Sequence, residues 1–363
     1  TLFRSGRPSA ALGRARAAGF IVPSPAMTFN DPEVTAGRLC LAAMMILGVA
    51  TVVEEFFVQC VLAHGNPAEV TSLRYLFWLR ILFGRARARC FGRVAETPLP
   101  RCLRAPGYRL FARVFGSCLD EVSEPLDSFP SFADFFCRSL KEGARPVAGV
   151  PAGLVSPVDG RLLTTGLVDR PDARVEQVKG TTYSVRGFLG HDPLKAKGPG
   201  TVLRYAVIYL NPGDYHQVHS PCGCTITEGR HFPGELLPVG GGILRWMSDV
   251  FCINERVVLS GTWRYGAMHL AAVGAANVGN IYLNFDRSLK TNSTRDLTVH
   301  CGGDVASRLY TDGVRLEAGD AVGGFRLGST VVLVFEAPAD FEWAVPLGGK
   351  VRVGEPLGSA AER

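Results

Sequence analysis

From about Val150 to its end the chain is punctuated by Gly, Pro, Asn and Asp into short apolar runs. Gly160–Thr165, Val202–Leu210, Val257–Ser260, His269–Val273, Asn280–Phe285 and Thr330–Phe335 are such runs. Each is of strand length and bounded by turn residues, which predicts many short strands and a β-rich domain of sandwich or barrel-like form. No repeat of fixed period interrupts the pattern.

The first hundred residues have another character. Hydrophobic residues make up 47% of the chain and charged residues 20%, and the net charge of +6 is unevenly placed. Residues 1–30 hold Arg4, Arg7, Arg14 and Arg16 and no acid, the composition of a mitochondrial transit peptide. Leu39–Val53 is an uncharged apolar run of 15 residues. As a helix it would reach about 22 Å, short of a hydrocarbon core of roughly 30 Å. Glu54 and Glu55 interrupt it before Phe56-Phe57-Val58 resumes, so spanning and lying on a membrane both stay open. A second apolar helix is predicted over Ala68–Phe83. Residues 74–113 carry ten arginines against Glu96 alone. Basic residues flanking apolar helices suit an anionic membrane surface. Nucleic acid is the weaker partner, because the arginines border the most apolar stretch and no nucleic-acid module is visible. Pro98, Pro100 and Pro106 predict a linker over 96–107, and residues 108–145 read as helices with loops. The fold class is therefore α+β, with N-terminal apolar or amphipathic helices before the β-rich domain. The expected divisions are 1–37 (targeting-like), 38–104 (membrane-associated helices and linker) and 105–363 (the domain holding the β-rich region).

The ten cysteines have no regular spacing, and Cys222-Gly223-Cys224 is the one close pair. They read as reduced, mostly structural thiols. Four stretches could carry chemistry. Ser156-Pro157-Val158-Asp159-Gly160 has an Asp in a turn, by itself most often a turn former. In Asp214-Tyr215-His216-Gln217-Val218-His219-Ser220-Pro221 the histidines share a face if helical and oppose each other if extended. They suit acid–base work or, with His231 and Cys222 or Cys224, a metal, although no standard ligand spacing is present. Pro233-Gly234-Glu235 and Asn254-Glu255-Arg256 place polar groups inside apolar patterns and read as a buried supporting network. In Leu327-Gly328-Ser329-Thr330 a hydroxyl follows a glycine carbonyl and leads into a buried strand. Such a hydroxyl can attack that carbonyl if a base takes its proton. Asp159, His219 and Ser329 are the parts of a Ser-His-Asp set, which is recognised by geometry rather than by order.

Taken in order, these stretches resemble the pyruvoyl-dependent phosphatidylserine decarboxylase family. The resemblance runs from Phe135-Phe136-Cys137-Arg138-Ser139-Leu140 through Arg145-Pro146, Ser156–Gly160, Gln177–Gly180 and Tyr183-Ser184. It continues with Tyr215–Pro221, Pro233–Leu236, Asn254–Arg256, Val273–Gly279 and Leu327–Thr330. It covers roughly residues 105–360. Asn280 departs from it, since a small hydroxyl residue is expected after Gly279.

The resemblance implies that Ser329 attacks the Gly328 carbonyl, with His219 as base and Asp159 orienting it. The chain is then cut into a larger β subunit ending at Gly328 and a small α subunit whose first residue, the former Ser329, becomes a covalent pyruvoyl group. His216 matches a residue linked to decarboxylation. The implied cofactor is that pyruvoyl group, with no PLP and no metal. The implied activity converts phosphatidylserine to phosphatidylethanolamine and CO2 through a Schiff base, at the mitochondrial inner membrane, with homo-oligomerisation left open. Two other readings compete. One is a membrane-associated Ser-His-Asp hydrolase that keeps its serine, although no Gly-x-Ser-x-Gly elbow surrounds Ser329. The other is a non-catalytic β-sandwich carrier, which leaves His216, His219 and Ser329 without a role.

Overall fold

A computed structural model describes residues 85–150, 152–168, 174–178, 181–191, 200–237, 239, 248–275, 280–289, 291–292, 305–326 and 330–361. The targeting-like segment and the apolar helices expected before residue 84 lie outside these residues. Among the described residues no helix is long and apolar enough to cross a membrane.

The organising element is β13 (Thr330–Pro338), whose sequence TVVLVFEAP is buried from Thr330 to Ala337. It lies between β9 (Gly266–Val273) and β5 (Thr201–Tyr209), antiparallel to both. Outward on one side follow β8 (Arg256–Trp263), β7 (Cys224–Phe232) and β11 (Ala306–Leu316). On the other follow β2 (Gly160–Val168) and β15 (Lys350–Val351). This sheet is covered on both faces. Strand side chains alternate, so Val332 and Val334 enter one core with Val207, Val258 and Phe188. Val331, Leu333 and Phe335 enter the other with Ile208, Leu259 and Leu270. A strand buried on both sides loses the polar half of the alternation, which explains the unbroken apolar run Val331–Phe335.

The first core is capped by the hairpin β3 (Arg174–Val178) and β4 (Thr181–Ser184) and by α4 (Val185–Leu189) and α5 (Val250–Ile253). The second is capped by two small antiparallel sheets. One is β1 (Gly153–Val155), β16 (Pro356–Ser359) and β14 (Glu342–Trp343). The other is β10 (Ile281–Leu283), β12 (Ala321–Phe325) and β6 (Gln217–His219). The β-rich α+β reading is what the described residues show, and the strand runs named from sequence all appear.

Phe335 is fully buried in the second core, with ring centroids 5.9 Å from Trp263 and 5.4 Å from Phe341. Phe335→Ala is expected to cost about 3–5 kcal/mol, measured by chemical denaturation.

The linker expected over 96–107 is instead largely helical. α1 (Arg85–Glu96) is followed at once by α2 (Arg101–Phe115). Pro100 caps α2 from an extended conformation, and Pro106 is accommodated within the helix. Proline in a helix interior removes one backbone hydrogen bond, and the apolar face of α2 offsets this. Tyr108 stacks on Phe135 at 4.4 Å, within a cluster that runs from Ala95 and Leu99 to Phe129 and Phe136. The boundary expected at residue 104 thus falls inside a helix that packs on α3 (Phe132–Phe136).

The Asn254-Glu255-Arg256 group supports the fold, as expected. Asn254 bonds the backbone of Leu237 and Gly274. Arg256 donates to the Phe188, Gly187 and Cys252 carbonyls and lies 4.0 Å from the Phe232 ring centroid.

Candidate active site

The site is built where β6 pairs with β12. Register places His219 opposite Ala321 and Gln217 opposite Gly324. The approach is close: a Cβ on Gly324 would lie 2.8 Å from both the His216 carbonyl oxygen and the Tyr282 hydroxyl. Only glycine fits without displacing one of them. β12 leads through Arg326 into Leu327-Gly328-Ser329, which lie outside the described residues, and Thr330 then opens β13. The Phe325 N–H donates to the His216 carbonyl (3.1 Å) and the Arg326 N–H to the Asn280 carbonyl (2.9 Å). His216 thus stands at the end of β12 nearer Ser329 in sequence. The Asn280 side chain reaches Glu96 of α1 at 3.4 Å, which gives the departing residue a structural role.

Strand geometry separates the two histidines. The His219 Nδ1–H donates to the Gly319 carbonyl (2.7 Å), and its Nε2 accepts from the Tyr215 hydroxyl (3.1 Å). Burial holds its pKa below the usual histidine value, against the opposing pull of the Gly319 carbonyl and the Asp159 charge. The imidazole is therefore neutral at pH 7, with its lone pair on Nε2, as a base requires. Burial and the nearby Asp159 charge push the Tyr215 phenol up to about 12, so it remains a donor.

Asp159 and His219 share a neighbourhood, since the His219 N–H donates to the Pro157 carbonyl (2.8 Å). No hydrogen bond joins their side chains. The carboxylate is held by Arg145, with Nε 2.9 Å from Oδ1 and Nη2 2.5 Å from Oδ2, and by the Val353 N–H at 2.8 Å. Arg145 also pairs with Glu121 at 2.8 Å and lowers the Glu121 pKa through that bond. At Nδ1 the His219 ring meets the Gly319 carbonyl, and the nearby Asp159 charge favours a proton on it.

His216 is 1% exposed and packs against Phe136, ring centroids 4.1 Å apart. Its Nδ1–H donates to the Asp214 carbonyl (2.8 Å). Burial first, and then the Arg138 charge, lower its pKa to about 3. Arg138 is 3% exposed, and its Nη2 donates to the Gly213 (3.0 Å) and Asp214 (3.2 Å) carbonyls. Among the described residues, His216 Nε2, Arg138 Nε and Nη1, and Thr330 Oγ1 are buried without hydrogen-bond partners.

Arg138, Arg145, Tyr215 and Gly319 were given no role from sequence. The detectable signal was Arg138 itself. An arginine directly after Phe135-Phe136-Cys137 is drawn into an aromatic core, where charges are seldom buried without purpose. Among the described residues no group of three or more His, Cys, Asp or Glu could hold a metal ion. His231, raised as a ligand, pairs with Glu255 at 2.9 Å instead.

Comparison with known proteins bears on this geometry. Residues 132–359 match the model of the phosphatidylserine decarboxylase family. The chain is 42% identical over 336 residues to the mitochondrial phosphatidylserine decarboxylase proenzyme 1 of Toxoplasma gondii, covering 90% of this chain and 78% of that protein. It is 43% identical over 299 residues to the mitochondrial phosphatidylserine decarboxylase proenzyme of Pongo abelii, covering 76% and 71%. With the mitochondrial proenzyme 1 of Oryza sativa subsp. japonica identity is 35% over 346 residues, covering 79% of each.

Proposed function

Because the chain belongs to the phosphatidylserine decarboxylase family, we propose that it is made as a proenzyme. It cuts itself between Gly328 and Ser329 and then converts phosphatidylserine to phosphatidylethanolamine and CO2. The observation that carries this reading is the neutral His219, fixed as its Nδ1–H tautomer on a strand paired to the one that leads into Gly328-Ser329.

In the cut, His219 Nε2 takes the Ser329 hydroxyl proton as the oxygen attacks the Gly328 carbonyl carbon. The C–N bond breaks, the Ser329 nitrogen takes the proton from His219, and an ester remains. Loss of the Ser329 Cα proton and cleavage of the Cβ–O bond release the Gly328 carboxylate and leave dehydroalanine. Its enamine tautomerises, and water displaces ammonia to leave the pyruvoyl group.

Thr330 directly follows Ser329 in the chain, and the His216 carbonyl holds Phe325 just before that segment; His216 Nε2 and Thr330 Oγ1 are buried with no hydrogen-bond partner among the described residues. The pyruvoyl carbonyl supplies the electron sink for the carbanion that CO2 loss creates at Cα. His216, neutral with its lone pair on Nε2, accepts a proton from the substrate ammonium and returns one to Cα. Phe136 keeps water from that imidazole.

The substrate lies in a bilayer, and α2 exposes Leu110, Val114 and Phe115 beside Arg109 and Arg113. This apolar and basic edge suits an anionic membrane surface. The relatives' mitochondrial names and the basic, acid-free residues 1–30 support a mitochondrial location; the inner membrane is what the family resemblance implies.

Purified protein is expected to run on a denaturing gel as two pieces, residues 1–328 and 329–363, the small one blocked at its N-terminus. In native size exclusion the pieces should stay together. Thr330–Pro338 pairs residue for residue with Thr201–Tyr209 across the cut. Vesicles containing phosphatidylserine should lose CO2. A single uncut chain would move the reading to the hydrolase or the carrier.

A further inference from the structure

Cys222-Gly223-Cys224 takes no part in the chemistry above. The stretch joins β6 to β7, and both thiols are free and buried, 5% and 8% exposed. Cα atoms two residues apart lie about 5.5–7 Å from each other, overlapping the roughly 4.4–6.8 Å that a disulfide spans. The two thiols are neighbours in the chain, separated by Gly223 alone, and Ser220 Oγ is 3.4 Å from Cys224 Sγ. These contacts, Cys222 foremost, bring the Cys224 thiol down to about 7 despite burial, and they push Cys222 up. Access is present, because Cys222 and Gly223 line an open cavity of about 650 Å³ with Val147, Val150 and Trp263.

The pair is also wired to the site. The Ser220 hydroxyl donates to the Cys222 carbonyl (2.7 Å). The Ser220 N–H donates to Asp320, and the Ser220 carbonyl accepts from Gly319, each at 2.8 Å. The Gly319 carbonyl in turn accepts the His219 Nδ1–H at 2.7 Å.

We propose that Cys222 and Cys224 are a redox-responsive dithiol that a small peroxide closes to a disulfide, and that closure disturbs β6 and lowers activity. The Cys224 thiolate attacks the peroxide, the O–O bond breaks, the sulfur becomes a sulfenic acid, and the hydroxide left behind is protonated to one water. The Cys222 sulfur then attacks that sulfur, the S–O bond breaks, and the departing hydroxide takes the Cys222 proton and leaves as a second water. Two S–H bonds are exchanged for one S–S bond, and two electrons pass to the peroxide. The effect on activity rests on the function proposed above; disulfide formation does not.

Trypsin should release Tyr205–Arg230 as one peptide, in which Cys222 and Cys224 are the only cysteines. Full-chain protein treated with hydrogen peroxide, alkylated and digested should yield this peptide two hydrogens lighter and unalkylated. Dithiothreitol should restore two alkyl groups. Decarboxylation of phosphatidylserine vesicles should fall severalfold with peroxide and recover with reductant. Cys222→Ser and Cys224→Ser should each retain untreated activity and resist the loss, which separates this pair from the exposed Cys90, Cys102 and Cys118. A fully alkylated peptide after peroxide overturns the proposal, and a disulfide without loss of activity overturns its coupling to the site. Protein with no activity before treatment would refute the proposed function and leave the peptide measurement intact.

Discussion

His219→Ala is expected to leave the chain whole. Its imidazole is neutral, with a fixed Nδ1–H and a lone pair on Nε2, and it sits on the strand paired to the one that leads into the cleavage segment. Removing a general base typically costs about 10²–10⁴ in rate. Cleavage complete within a preparation of the parent chain would therefore be barely detectable in the variant. A time course on a denaturing gel measures this, and cleavage of the variant at the parent rate would reject His219 as the base. The pH dependence has a definite sign. The base works only when unprotonated, and burial holds its folded pKa below the usual 6.5. The parent rate should thus be flat through neutral pH and fall only in acid, about tenfold for each pH unit below that pKa. An inflection above 6.5 would contradict the burial of His219.

How far such a site can be read from sequence depends on the range of the contacts that make it. The strands were legible because β13 and β5 carry their own apolar runs and their turns are local. The histidine pair was legible as a pair, and the extended alternative is the one realised: His216 faces Phe136 and His219 faces Tyr215 and Gly319. The start of α2 was not legible, because three prolines signal a break and the packing that overrides them comes from residues 119–136, later in the chain. Asp159 illustrates the same limit. Its turn is written locally, but the groups that hold its carboxylate come from Arg145 and from Val353, far along the chain. No spacing rule links those positions. They meet only because β15, just before Val353, pairs with the start of β2, which follows Asp159.

Arg138→Met is expected to lower kcat by about 10² while the chain still cuts itself. The Asp214 carbonyl accepts from both Arg138 Nη2 (3.2 Å) and His216 Nδ1–H (2.8 Å). That shared acceptor fixes the His216 tautomer, and the guanidinium charge opposes a second proton on the ring. Arg138 is thus a positioning residue that acts through His216. With methionine in its place the volume is roughly kept, but the Asp214 carbonyl loses one of its two donors and the charge is gone. His216 should then titrate above its present value of about 3, although burial, the larger cause, still holds it below 6.5. If neutral His216 is the form that works, protonation removes activity. The acid limb of the kcat profile should move upward in the variant by about a unit, the order expected for loss of a nearby charge. Arg138→Lys keeps the charge without the forked contact, so it should hold the limb near its parent position while still lowering kcat. A purely structural role would lower the yield and the melting temperature of both variants alike and leave the acid limb in place. Separate measurements of self-cleavage, thermal unfolding and the kcat profile therefore distinguish a residue that sets the charge state of His216 from one that only fills the space beneath it.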